Sequence, residues 1–470
     1  MTAELAFLDL VEAASLISTR QASARQVVEA VLDRTEAIAP DLNCFISIDR
    51  EAALSEADDR DRAIVRDGVV GPLHGIPVSI KDTFPTANMR TTAGSPILAD
   101  WIPEQDAVAV ADLRRAGAVI IGKTSAYQFA FGSAHPDFGD VKNPWDARRC
   151  CGGSSSGSAA AVAAGLGYGS LGSDAAGSVR SPGALCGVVA MKPTLDLISA
   201  EGAIPAAYTM DHAGLFGRCV ADVHRQLLAF PAYRRIASEQ MEPRGLKGLR
   251  VGIPKRHAGD TDFAIAHGVE QVVSEATERL VQAGALVREI ELPRLDEAQM
   301  LMVLIFAGEI NEFHLPWLLT RKNDYPADVA ALLTGSQSLP AVAYVRAQRI
   351  RQLLIQRYAA AMADVDVVAT PVMPITAWPI GEAEVSVGGM PVSALTTQTW
   401  HCVPFNLTGH PALSVPAGLA DGLPVGLQLV GHMHADEALL GVAASFEEVS
   451  GRLLTFPPPT GTPTGKEPIS

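Results

Sequence analysis

The stretch Cys151–Lys192 reads CGGSSSGSAAAVAAGLGYGSLGSDAAGSVRSPGALCGVVAMK and is dominated by Gly, Ser and Ala. Residues this small let backbones approach closely, and glycine reaches positive φ, so successive N–H groups can converge on a negatively charged atom. Serine hydroxyls on such turns are weak nucleophiles until a base within hydrogen-bond reach takes the proton. Upstream, Ile76, Val78 and Ile80 alternate like a half-buried strand, which turns Ser79 and Lys81 to the opposite face. Taken singly these residues are ordinary: a strand-end lysine reaches solvent and isolated serines occupy turns.

Other patterns have plainer structural readings. Gly117–Thr124 fits the phosphate-loop form GxxxxGK[ST], but Ala118–Ile121 reads as a buried strand where a phosphate cradle needs a loop. Gly153, Ser155 and Gly157 form GxSxG, yet the preceding DARRCC makes a poor strand for a nucleophile elbow. Ser155 then reads as a structural hydrogen-bonding residue beside Ser154. Gly167, Gly169 and Gly172 match GxGxxG but follow a helix instead of opening one. His432 and His434 lack a third ligand, and the six cysteines show no CxxC or Cys/His spacing, so neither a metal site nor a disulfide framework is expected.

The elements that must hold the serines and the lysine alternate between helix and strand. Ser23 and Gln26 form a capping box ahead of Val27, Val28, Val31 and Leu32, predicting an N-terminal helical segment over 5–40 that stops at Pro40. A helix over Val108–Arg115 leads through Gly117 into a strand at Ala118–Ile121. Later come helices over 267–283 and 341–363, strands over 286–292, 366–370, 413–415 and 425–430, and a closing helix over 436–447. A small-residue helix, Ser158–Ala164, separates the two serine-rich turns. Residues from about 239 to 339 are the least regular and suggest a helical insertion, and the Pro-rich tail from Pro457 is expected to be loosely ordered. With 470 residues, 48% hydrophobic and 19% charged, the chain reads as one globular α/β domain over 1–470.

Three blocks carry a specific resemblance. LHGIPVSIKD (Leu73–Asp82), GGSSSGSAAAVAAG (Gly152–Gly165) and GSDAAGSVRSPGALCGVVAMKPT (Gly172–Thr194) resemble the lysine, relay-serine and nucleophile blocks of the amidase signature family. Weaker echoes lie at Thr91–Ser95, Asp211–Val223 and Pro404–Gly431. The resemblance implies a large mixed, mostly parallel sheet sandwiched by helices. It implies Lys81 as base, Ser154 as proton relay and Ser178 as nucleophile. The N–H groups of Ala175, Ala176, Gly177 and Ser178 would form the oxyanion hole, Asp174 and Arg180 would brace that turn from outside, and the loop at Ala130 would line the acyl pocket. Two positions depart from the family pattern: Ser156 stands where a glycine is usual, and Ala176 precedes Gly177 where two glycines are usual. Were either held at positive φ, its Cβ would cost roughly 1 kcal/mol.

This chemistry requires an uncharged lysine. From a reference near 10.4, useful neutrality close to pH 7.5 needs a shift of roughly three units, about 4 kcal/mol, and burial supplies it with the correct sign. The expected activity is hydrolysis of a small carboxylic amide to acid and ammonia or amine, without cofactor. The same family supplies the glutaminase component of glutamyl-tRNA amidotransferase, which releases ammonia from glutamine within a complex. That component usually carries an SSNLARFDG-like segment where this chain reads GEINEFHLPW (Gly308–Trp317). A fold-retaining inactive binding protein is the third alternative, motivated by Ser156 and Ala176. A formal charge of −15 argues against a nucleic-acid partner, and no apolar run reaches the 18 or so residues of a membrane span, so a cytoplasmic enzyme, with a homodimer as the default assembly, is expected.

Overall fold

The computed structural model describes residues 2–255 and 264–451. The tail from Pro457 lies outside the described residues. One sheet of eleven strands runs through the molecule. In chain order they are β1 (Phe45–Ile48), β2 (Pro77–Lys81), β3 (Val119–Thr124), β4 (Gly169–Asp174), β5 (Val189–Lys192), β6 (His212–Gly217), β7 (Arg250–Pro254), β8 (Leu286–Ile290), β9 (Val367–Pro371), β10 (Ala412–Ala420) and β11 (Leu423–Val430). Their spatial order is β1-β3-β2-β4-β6-β5-β10-β11-β9-β7-β8.

The sheet is mixed and covered by helices, as expected. Parallel pairing is confined to two blocks, β3-β2-β4 and β9-β7-β8, and the strands between them pair antiparallel. The expected predominance of parallel pairing therefore holds only within those blocks. The reason is local: β10 and β11 are joined by the turn Asp421-Gly422, both at positive φ, and a link that short can only reverse the chain.

Alternation along the strands divides the interior. Val78, Ile80, Met191 and Leu427 enter one core with the helices Ala24–Leu42, Val220–Leu227, His267–Gln282 and Asp436–Ser450. Ala190 and Val368 face the other way, toward Ser156–Ala163 and toward the long helices Leu295–Thr320 and Ala341–Met362 respectively. Lys81 lies on this second face.

The N-terminal capping box forms as read: Gln26 N–H donates to Ser23 Oγ at 3.0 Å and Ser23 N–H to Gln26 Oε1 at 2.9 Å. The helical segment is three helices, and the last passes through Pro40 to Leu42, where left-handed Asn43 ends it. Proline in a final turn gives up one backbone bond without stopping the coil. Within about 239–339, where a helical insertion was expected, β7 and β8 extend the sheet on either side of the helix His267–Gln282, and only the part from Leu295 onward is helical without a strand. β8 reads LVREI and looks irregular in sequence because it is an edge strand, where charged side chains are tolerated.

Candidate active site

β2 ends at Lys81, which it delivers to the second face. The side chain is wholly buried, and Nζ donates to Ser154 Oγ at 2.7 Å and to Ser173 Oγ at 2.8 Å, with the Ser173 carbonyl at 3.5 Å. Burial pushes the amine down to about 7, against the opposing pull of Asp211 and Asp174. A substantial neutral fraction therefore exists at neutral pH, and a neutral amine can equally accept the Ser154 proton.

Ser154 is presented by a turn that only small residues can make. Gly152 has φ 70, and the Gly153–Ser154 peptide is cis. Gly153 N–H donates to Gln398 Oε1 at 2.6 Å, and the Ser154 carbonyl accepts from Tyr127 N–H at 3.2 Å. A Cβ on Gly153 would lie 2.2 Å from Tyr127 Cζ. Gly153→Ala must therefore displace the tyrosine ring or the serine turn, and kcat should fall by about 10²-fold with the protein still folded; steady-state kinetics beside a circular-dichroism melt checks this.

Ser155 ties the two serine turns together. Its Oγ donates to the Ser173 carbonyl at 3.1 Å and its N–H to the Ser178 carbonyl at 3.2 Å, the structural role expected of it. The small-residue helix that follows spans Ser156–Ala163, and a Cβ on its Gly157 would fall 2.5 Å from Cys44 O and Ser125 N. Contrary to the sequence reading, Asp146–Cys150 does form a strand, paired with Lys142–Asn143 outside the main sheet.

Ser178 lies between Gly177 and the helix Arg180–Cys186. It is half-buried, and among the described residues its hydroxyl has no protein partner. The N–H groups of Ala175, Ala176 and Ser178 are likewise without protein acceptors among the described residues. Gly177 differs from expectation: its N–H donates to Asp174 Oδ1 at 2.6 Å and is not available to an oxyanion. Gly177 is at φ 114, and a Cβ there would fall 2.9 Å from the Gln398 carbonyl oxygen. Neither Ser156 nor Ala176 has positive φ, so the two departures from the family pattern carry no backbone strain.

Asp174 and Arg180 brace this turn from within the core, both fully buried. Asp174 also accepts from the N–H groups of Val179 (3.1 Å) and Arg180 (3.3 Å), while the guanidinium reaches Asp174, Gln428, Asn406 and the Cys402 carbonyl. Burial alone would raise the Asp174 carboxyl. The Arg180 charge and hydrogen bonds from Arg180 and Asn406 outweigh it and hold the carboxyl well below the ordinary range. Arg180→Met leaves a buried carboxylate uncompensated and should cost about 3–5 kcal/mol in urea unfolding.

Ala130, at φ 66, packs with Ala175, Ala206 and Phe306, so the loop expected in the acyl pocket does stand beside the Ser178 turn. Sequence reasoning missed Ser173, Asp211, Tyr127 and Gln398. Ser173 sits inside a motif that was read, but without a role. Gln398 is 245 positions from the glycine it holds, and only the fold brings them together.

The discounted motifs keep their plain readings. Lys123 is buried in β3, donating to the Phe84 carbonyl and Thr91 Oγ1 at 2.7 Å each. Gly169 and Gly172 lie within β4, and His432 Nε2 donates to the Val365 carbonyl at 2.8 Å. Buried Asp9, Cys219 and Asp222 stand close together, but Asp222 already accepts from Leu10 N–H at 2.9 Å and fastens the helix Leu10–Ser18 to the core.

Fold and similarity together define an enzyme that acts on carbon–nitrogen amide bonds. The family model described as Amidase matches residues 26–440, and the chain belongs to that family. It is 34% identical over 481 residues to the GatA-type component of the glutamyl-tRNA(Gln) amidotransferase of Moorella thermoacetica, covering 95% of this chain and 97% of that one. A crystal structure described as an amidase matches with TM-score 0.87 and 33% identity, covering 94% of this chain and all of the other. The peptide amidase of Stenotrophomonas maltophilia matches with TM-score 0.82 and 29% identity, covering 96% and 98%. No helix among the described residues is long and apolar enough to cross a membrane.

Proposed function

We propose that the protein hydrolyses a small carboxylic amide to acid and ammonia or amine through an acyl-enzyme on Ser178. The observation that carries this reading is the buried Lys81 amine, 2.7 Å from Ser154 Oγ. Ser178 Oγ attacks the carbonyl carbon, its proton passes to Ser154, and the Ser154 proton passes to neutral Lys81. The oxyanion is met by the N–H groups of Ala175, Ala176 and Ser178, each such donor being worth about 3 kcal/mol in the transition state. Collapse breaks the C–N bond, and the leaving nitrogen takes a proton back through Ser154. Water then attacks the ester along the same relay and frees Ser178.

Ala130, Ala175, Ala206 and Phe306 offer the acyl group a small, uncharged wall. We place the enzyme in the cytoplasm, where its six free thiols stay reduced, and take a homodimer as the assembly that sedimentation should find. The test of function is a panel of aliphatic, aryl and ureido amides with ammonia and amine detection. Release by the protein alone is expected.

A second reading, the glutaminase component of an amidotransferase, is favoured by the name of the Moorella relative. Against it stands the sequence of Gly308–Trp317, GEINEFHLPW in place of an SSNLARFDG-like segment, which lies within the helix Leu295–Thr320. Silence on every amide, with ammonia released from glutamine only once partner proteins are added, would replace the first reading by this one. An inactive binder loses its motivation with the unstrained backbone at Ser156 and Ala176. Failure of a fluorophosphonate to label Ser178 would restore it.

A further inference from the structure

Ser155 is one bridge between the turn that carries Ser154 and the turn that carries Ser178, and it belongs to the first turn itself. Gln398 is another, and it comes from far along the chain. It sits on the short helix Ala394–Thr399 and is buried. Its side-chain Oε1 accepts from the N–H of Gly153, the residue ahead of the relay serine, at 2.6 Å. Its backbone carbonyl accepts from Ser181 Oγ, on the helix that follows the nucleophile, at 2.6 Å. One residue thus grips both turns with two different groups.

The fit is close at the first turn as well as the second, since a Cβ on Gly152 would stand 3.3 Å from Gln398 Oε1. The helix is itself anchored. Ala394 N–H donates to the Ala383 carbonyl at 2.9 Å, and Cys402 N–H donates to the Thr399 carbonyl at 3.0 Å. Ala394 and Cys402 share a core cluster with Ala184 and Leu185 of the helix Arg180–Cys186. An uncharged amide suits this place, because a buried carboxylate facing a neutral backbone N–H would cost more to desolvate.

Resting on the reading of Ser154 as relay and Ser178 as nucleophile, we infer that Gln398 is a positioning residue: by holding the Gly153 N–H and the Ser181 hydroxyl at once, it fixes the separation of the two reacting hydroxyls. Proton transfer from Ser178 to Ser154 needs their oxygens within hydrogen-bond reach, and misplacement by about 1 Å costs about 10²-fold in rate. The acyl wall is built from other residues, Ala130, Ala175, Ala206 and Phe306, so the effect falls on the rate and spares binding.

The experiment follows labelling of Ser178 by a fluorophosphonate in wild type, Gln398→Met and Gln398→Glu, resolving the limiting rate from the half-saturating concentration, with a thermal melt of each protein. Gln398→Met keeps the length and removes the acceptor. Its limiting rate should fall by about 10²-fold, with the half-saturating concentration unchanged within about twofold. Gln398→Glu still offers Gly153 N–H an oxygen and should bring the rate back to within about tenfold of wild type. Ser181→Ala, which releases the other grip, should slow labelling by about tenfold.

A limiting rate within about threefold of wild type in Gln398→Met overturns the inference, whatever its melting temperature, because a glutamine that merely supported the fold would change stability alone. An equal loss in Gln398→Met and Gln398→Glu overturns it too, since the accepted hydrogen bond would then not be what matters. If Gln398→Met does not fold, Ser181→Ala decides, and an unslowed rate there overturns the inference. A wild type that is not labelled at Ser178 overturns instead the reading of that serine as nucleophile.

Discussion

Ser178→Ala should abolish amide hydrolysis, lowering kcat by about 10⁴-fold or more, because no second hydroxyl can take over the covalent step. The fold should not register the change. Among the described residues the Ser178 hydroxyl bonds to no protein atom, and the turn is held instead by the Ser178 carbonyl accepting from Ser155 N–H and by Asp174. The variant should therefore melt with the wild type and lose fluorophosphonate labelling. Ammonia release beside a calorimetric scan reads both outcomes. Near-normal turnover would transfer the nucleophile to another residue, and a large drop in melting temperature would mean the loss of activity reports on folding.

Lys81→Met should separate activity from stability in opposite directions. Removing the base should lower kcat by about 10²–10⁴-fold. Stability should rise, because the wild type carries a buried group that water holds better when charged. In the unfolded chain the amine binds its proton up to about 10.5, and in the folded protein only up to about 7.

The sign follows from proton counts. Between those values the unfolded state holds more protons, so wild-type stability climbs as pH rises from 7 toward 10.5, and below 7 the full penalty applies. At about 1.4 kcal/mol per unit the penalty is at most about 5 kcal/mol, and lost hydrogen bonds to Ser154 and Ser173 offset part of it, leaving a gain of about 2 kcal/mol. Lys81→Met should thus melt higher than wild type at neutral pH, with the gap closing near pH 10. A gap independent of pH would show that the amine is not held neutral. In the wild type, kcat/KM should fall as pH drops through about 7, where Lys81 gains its proton.

What could be read ahead of the structure was whatever lies close along the chain. The Ser23–Gln26 cap, the helix Val108–Arg115 and the alternation of Ile76, Val78 and Ile80 are local patterns, and each appears where it was expected. The same alternation correctly turned Lys81 away from the apolar core. The strand directions, the true extent of the helical insertion and the role of Asp146–Cys150 were not legible, since pairing partners are chosen by the whole sheet.

The residue types of the site, a lysine and two serines set among glycines and alanines, are written in the chain order, because chemistry and tight turns demand those side chains and no others. Their working environment is not. The Gln398 prop under Gly153 and the exclusion of water from the amine come from segments far apart in sequence, and even the loss of the neighbouring Gly177 N–H to Asp174 depends on how the turn is folded. Burial and electrostatic pull depend on what packs around a group, and only the assembled sheet and its helices settle that.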